Sequence, residues 1–230
     1  MPNGTVDPRW PRLLSLTVHE FRTPMTVVAG YLRMLLKDRA GPITDQQRRL
    51  LEEAEKSCAR LSALLAEVSD LANLEAGTGT FNKSTVDLRP LMTEAIGALP
   101  PTPDRDLSVE LAEGGGGSAI VGDPTRLRTA FASIFNALRR ELVTSSRLLV
   151  REETRNIDGR AHAWIAIADD ERLDQVAAAN PGALTTFDEW RGGSGLSLAV
   201  ARRIINAHGG QIWSPGDDVR AAAVIALPSA

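Results

Sequence analysis

The chain has 230 residues, 24% of them charged, and a formal charge of −3. That length accommodates two small domains with separate cores, and the charge balance supplies no strong field for nucleic acid or an anionic membrane surface. One cysteine, Cys58, excludes an internal disulfide framework, and no apolar run reaches the ~18 residues of a membrane span, so a cytoplasmic protein in a reducing compartment is expected.

Between Trp10 and Asp38 the apolar residues Leu14, Val18, Phe21, Met25, Val28, Leu32 and Leu35 alternate in steps of four and three, the seam of a coiled-coil-like helix. Gly41-Pro42 breaks the chain. Thr44 then offers an N-cap with Gln47 as its capping-box partner, opening a second heptad through Leu51, Ala54, Cys58, Leu61, Leu65, Val68 and Ala72. Two long helices with a short connection make an antiparallel hairpin. One hairpin leaves half its apolar face wet, so a homodimer closing a four-helix bundle is expected.

Past Gly77 the pattern changes. Val86-Asp87-Leu88 reads as a strand entering a helix near Pro90 to Leu99, and strands follow near Leu107 to Leu111 and at Ala119 to Val121. Pro100, Pro101 and Pro103, and the glycine run 114 to 117, flank the first of these. Asp123-Pro124 is an N-cap and first helical residue for a helix to about Leu142. Arg147–Glu153 and Ala161–Ala168 form a hairpin around Asp158-Gly159. A helix from Leu196 to His208 ends at Gly209-Gly210, and strands near Gln211–Trp213 and Val219–Leu227 close the chain. The predicted fold class is therefore α followed by α/β: a helical hairpin domain at 10–77, then an α/β sandwich with a mainly antiparallel or mixed sheet at 84–228.

His19 directly follows the seam residue Val18, so its ring lies at the flank of the bundle, within reach of another protein. Glu20 is beside it, and Pro24 removes the donor to the Glu20 carbonyl one turn later, bending the helix. The hexapeptide His19-Glu20-Phe21-Arg22-Thr23-Pro24, at the start of a heptad hairpin, resembles the phosphoacceptor box of two-component histidine kinases. The order of elements in the second half is similar to that family's Bergerat-type ATPase domain. The resemblance implies that His19 accepts a phosphoryl group and that Glu20 takes the proton from the ring's other nitrogen. It also implies a response-regulator receiver domain as partner, and associates Glu20 and Thr23 with dephosphorylating that regulator.

For the second domain the resemblance implies ATP and Mg²⁺ as cofactors. Asn136 corresponds to the asparagine that holds the metal, Arg139 to a phosphate-facing cation, and Asp169 to the adenine-reading carboxylate. Gly193 and Gly195 match the second glycine turn, in which Ser197 replaces the third glycine. At the first glycine turn Glu171 and Leu173 replace both glycines, where a side chain forced into a left-handed backbone would cost about 1–2 kcal/mol. The lid is expected between Arg172 and Arg191, with Phe187 and Trp190 as its aromatic box. ATP binding is therefore expected to be impaired or lost, leaving histidine phosphotransfer between His19 and a receiver aspartate. An ATP-dependent autokinase is the alternative and a dimeric scaffold without phosphoryl chemistry a third. His208 is read as a helix C-cap favoured by the helix dipole.

Overall fold

The computed structural model describes residues 9–102, 105–113, 116–193, 195–216 and 219–230. Pro103, Gly114 and Gly115, named above, lie outside them. The chain divides into two compact units, one ending at Gly79 and the other running Thr80–Ala230.

The first unit is a hairpin of α1 (Trp10–Leu36) and α2 (Asp45–Glu75). Both halves of the capping box form: the Thr44 hydroxyl accepts the Gln47 N–H at 3.2 Å, and the Gln47 side chain accepts the Thr44 N–H at 2.8 Å. Asp38 takes a left-handed backbone at φ 55°. The Arg48 guanidinium holds that turn shut, donating to the Leu36 carbonyl and to both carboxylate oxygens of Asp38. Val18 and Cys58 are buried between the helices, whereas Trp10, Leu13, Phe21, Val28, Leu50 and Leu61 stay more than half exposed or nearly so. Helix α1 runs through Pro24 without a break.

In the second unit β1 (Ser84–Asp87) leads into α3 (Leu88–Gly97), capped by the Asp87 side chain at the Arg89 N–H. Strand β1 pairs antiparallel with β3 (Ala119–Gly122) as a separate two-stranded sheet. Helix α4 (Pro124–Arg140) starts on the Asp123 cap. The main sheet is mixed, ordered β2-β4-β5-β8-β7-β6. It comprises β2 (Ser108–Leu111), parallel to β4 (Arg147–Ile157), and antiparallel neighbours β5 (Arg160–Asp169), β8 (Ala223–Pro228), β7 (Gln211–Ser214) and β6 (Thr185–Thr186). The β4–β5 turn places Asp158 and Gly159 at φ 50° and 79°, both left-handed as a two-residue hairpin of this hand requires. Helix α6 (Ser197–Ala207) ends with the Gly209 N–H on Asn206 O and the Gly210 N–H on Ile205 O, the paired bonds of a Schellman motif.

Alternation along β5 buries both faces of the sheet. Ile165 and Ile167 are buried on one face, while Trp164, Ala166 and Ala168 on the other form a core with Leu173, Val176 and Ala177 of α5 (Leu173–Ala177). The last strand begins at Ala223 rather than the predicted Val219. Ala221 is left-handed at φ 53° and its N–H is drawn to the Glu141 carboxylate, which takes the preceding residues out of the ladder.

Candidate functional site

The predicted acceptor cluster is assembled by one helical turn of α1. His19 and Glu20 both have side chains 75% exposed, with Nδ1 of the ring 3.9 Å from Glu20 Oε1. The carboxylate therefore lies near Nδ1 of an exposed ring, beyond hydrogen-bond distance. Thr23 lies four residues on, over the same face. Its neighbours Thr17 and Thr26 return their hydroxyls to the carbonyls of Leu13 and Arg22 at 2.8 Å. The Thr23 hydroxyl makes no such bond among the described residues, so a helix-bonding role does not account for it.

In the second unit the predicted polar nucleotide residues Asn136, Arg139 and Asp169 are each bonded to other groups of the protein. Asn136, half-buried on α4, has its side-chain oxygen occupied by Arg139, which donates from Nε at 3.2 Å and Nη2 at 2.9 Å. Arg139 also donates to the Pro100 carbonyl and is 5% exposed, so it turns inward. Burial, with Arg140 beside it, lowers its pKa.

Asp169 is buried at the end of β5 and accepts the Arg172 N–H at 3.0 Å, with the Arg172 guanidinium 3.4 Å from its other oxygen. The side chain closes the turn that precedes α5.

The strain expected at the first glycine turn is not incurred. The left-handed residues other than glycine among those described are Asp38, Asp158 and Ala221, and neither Glu171 nor Leu173 is one of them. The chain takes a right-handed turn instead, and Leu173 enters the outer core as the first residue of α5.

The segment expected as a lid is pinned over much of its length. Arg155 lies 4.6 Å over the Trp164 ring and donates to the carbonyls of Ala177 and Ala179, fastening α5 to the outer face of the sheet. Phe187 and Glu189 are buried, and Glu189 pairs with Arg202 and Arg203 of α6. Trp190, the other member of the predicted aromatic box, is 70% exposed. Gly193 and Gly195 keep left-handed φ values of 58° and 61° with open space where a Cβ would stand.

Two residues that the sequence did not single out close the end of α4. Arg191 makes a two-pronged ion pair with Glu141 and also donates to Ser214 Oγ at 3.3 Å and Ala222 O at 3.2 Å. Glu141 completes the knot by accepting the Ala221 N–H at 3.0 Å. The β5–β8 register pairs Ile167 with Ala223, so this knot lies at the Asp169 end of the sheet. Around it is a cavity of about 640 Å³ whose walls include Arg105, Arg140, Glu141, Asp188 and Arg191, and none of the five predicted nucleotide residues.

Comparison with known proteins assigns these features to a family. Residues 12–77 match the His Kinase A (phospho-acceptor) domain. The first unit therefore carries the phospho-acceptor domain of histidine kinases, and most of the chain is similar to proteins of that family. Histidine kinases similar to it include the circadian input-output histidine kinase CikA of Synechococcus elongatus, 26% identical over 86% of this chain and 27% of that protein. The sensor protein GacS of Pseudomonas syringae pv. syringae is 27% identical over 92% of this chain and 24% of that protein. The chain thus spans about a quarter of the length of the curated relatives it matches. Full-length ShkA, solved with AMPPNP, shares the fold with a TM-score of 0.70 at 23% identity, over 96% of this chain and 46% of that one. The Acinetobacter baumannii histidine kinase AdeS does so with a TM-score of 0.53 at 18% identity, over 91% and 97%. The helical hairpin followed by a mixed α/β sheet domain is the architecture of this kinase family. No helix among the described residues is long and apolar enough to cross a membrane.

Proposed function

We propose that this histidine kinase homologue works as a dimeric phosphotransfer protein, moving phosphoryl groups between His19 and a receiver-domain aspartate of a response regulator. The observation that carries the reading is the contrast between its two units. His19 is open with a carboxylate near Nδ1, whereas Asn136 and Asp169 are already satisfied by Arg139 and Arg172. In the transfer, the Nε2 lone pair of neutral His19 attacks the phosphorus of an aspartyl phosphate in line. The P–O bond to the aspartate breaks and the carboxylate leaves with its electron pair. Glu20 accepts the proton from Nδ1 as the ring becomes phosphorylated. The free Thr23 hydroxyl supports a second task, positioning a water that dephosphorylates the regulator. The apolar residues left exposed on α1 and α2 support pairing of two hairpins.

The donor set of the second unit does not fit ATP with Mg²⁺ as it stands. The metal-binding oxygen of Asn136 is taken by a buried arginine, and Glu171 adds negative charge beside Asp169 and Asp170. The left-handed turn at Gly193 and Gly195 favours a second reading, an ATP-dependent autokinase. Calorimetric titration with ATP and Mg²⁺, with an Asn136→Ala control, separates the two. No saturable heat up to millimolar nucleotide, together with labelling of His19 from a phosphorylated receiver, is the expected result. Saturable binding lost in the control, with His19 labelled from ATP, would establish the autokinase instead.

A further inference from the structure

We propose that His208 is a proton-operated latch: its neutral ring holds Phe81 and Asn82, near the start of the second unit, to the ends of α4 and α6, and its protonated ring releases them.

The tautomer follows from the partners. The Asp123 backbone N–H points at His208 Nε2 at 2.9 Å, and an amide can only donate, so Nε2 is the acceptor. The ring proton is then on Nδ1, which faces the Ile204 carbonyl at 2.7 Å. One ring thus joins the C-terminal turn of α6 to the cap of α4. Asp123 extends the junction to the incoming chain. Its Oδ1 caps the Arg126 N–H at 3.0 Å and its Oδ2 accepts the Asn82 N–H at 2.9 Å. Phe81 stands edge-on to the His208 ring, 88° between planes and 5.2 Å between centroids, and the Arg126 guanidinium lies 5.0 Å from the Phe81 ring centre.

The ring packs directly on the Gly122 backbone. A Cβ on Gly122 would stand 2.9 Å from His208 Cδ2 and 2.6 Å from Leu127 Cδ1, so the glycine is what admits the imidazole. A second proton on Nε2 would therefore face the Asp123 N–H, donor against donor, in a site where the histidine is 7% exposed. The charged groups around it are Lys83, before β1, and Arg126 and Asp123 at the start of α4. Burial, with the two cations adding to it, holds the ring below the ordinary histidine value against the Ile204 carbonyl and Asp123. Release frees Phe81 and Asn82 from the body of the second unit.

The test is NMR on the full ¹⁵N-labelled chain between pH 7.5 and 5.0, reading the His208 ring nitrogens and amide exchange corrected for its intrinsic pH dependence. Expected is a loss of at least tenfold in protection at Asn82 and Asp123 in step with ring protonation, with Ile165 in the central strand keeping its protection. His208→Gln, whose side-chain oxygen accepts from Asp123 without titrating, stays protected throughout. A ring that protonates with Asn82 and Asp123 unchanged, a ring that stays neutral to pH 5.0, or simultaneous loss at Ile165 would each overturn the latch. Should His208→Gln not fold, Phe81→Leu removes the ring contact and keeps the histidine's hydrogen bonds. It is expected to lower protection at Asn82 at pH 7.5 and spare Asp123, and an unchanged Asn82 overturns the proposal.

Discussion

Glu141 and Arg191, fifty residues apart in the chain, close on each other with side chains only 14% and 12% exposed. The pair joins the end of α4 to the segment before Gly193 and, through the Ala221 N–H and the Ala222 carbonyl, to the approach to β8. Removing one member leaves the other charged and poorly solvated. Arg191→Met or Glu141→Leu alone is expected to cost about 3 kcal/mol, within the range for breaking a buried pair. The double variant Glu141→Leu, Arg191→Met is expected to recover much of that. Urea denaturation of the four proteins checks it, since simple addition of the two single losses would mean the residues act independently.

His19→Gln should abolish phosphoryl uptake from a phosphorylated receiver with no change in folding, because the side chain is exposed and makes no packing contribution. Glu20→Gln keeps size and hydrogen-bonding capacity but not basicity. Its transfer rate is expected to fall by about 10²-fold, the low end for a positioned general base. Rapid-quench transfer assays measure both.

Thr23→Ala should separate the two tasks. Phosphoryl uptake at His19 is expected to survive, while regulator dephosphorylation drops at least tenfold. Helix stability should stay the same or rise by about 0.5 kcal/mol, since alanine is the better helix former and the hydroxyl makes no helix bond. A large loss of thermal stability would instead point to a structural role.

Leu173→Gly returns one residue of the family's glycine turn. Here the leucine is 3% exposed in the outer core, so the change is expected to cost about 3–5 kcal/mol through the cavity and the weakened α5. No nucleotide binding should follow, since Asp169 remains bonded to Arg172. Calorimetry and denaturation of the single variant test both halves.

Glu152 gives the second unit a pH dependence of definite sign. It is 2% exposed, Oε1 accepts the Ser118 N–H at 2.6 Å, and Oε2 has no partner among the described residues. Burial, with Asp87 adding, raises its pKa above the usual 4.5 against the Ser118 bonds and Arg89. Just above pH 4.5 the folded state therefore binds more protons than the unfolded one. The stabilising effect is present at and below that pH and is lost as pH rises through the folded value. Glu152→Gln, which keeps the Ser118 acceptor, should flatten this part of the stability profile measured by urea titration at successive pH values.

How far the sequence reaches differs between the units. The heptads of α1 and α2, the Thr44–Gln47 box, the Asp158-Gly159 turn and the Gly209-Gly210 ending were legible because each depends on residues within a turn or two of one another. His208 was legible only in part. Its place at the end of α6 held, but the ring is buried and neutral, bonded to a carbonyl and to an amide 85 positions away, rather than a cation favoured by the helix dipole. The strand before Ala223 was misread because the Glu141 carboxylate that bends Ala221 away is 80 residues distant.

By itself the sequence determined a helix hairpin with His19, Glu20 and Thr23 on one exposed stretch of α1, since helical periodicity and a local box are enough to set that face. Only the tertiary structure decided what became of the second unit's polar residues. Arg139 looks like a phosphate-facing cation until it is seen turned inward onto the Pro100 carbonyl, 39 residues back, and Glu141 is bonded to Arg191, fifty residues on. Leu173 looks like damage until it is seen in a core that α5 forms with β5 and the distant β8. A buried polar group takes the partner that the fold brings to it, and that partner is set by packing rather than by sequence distance.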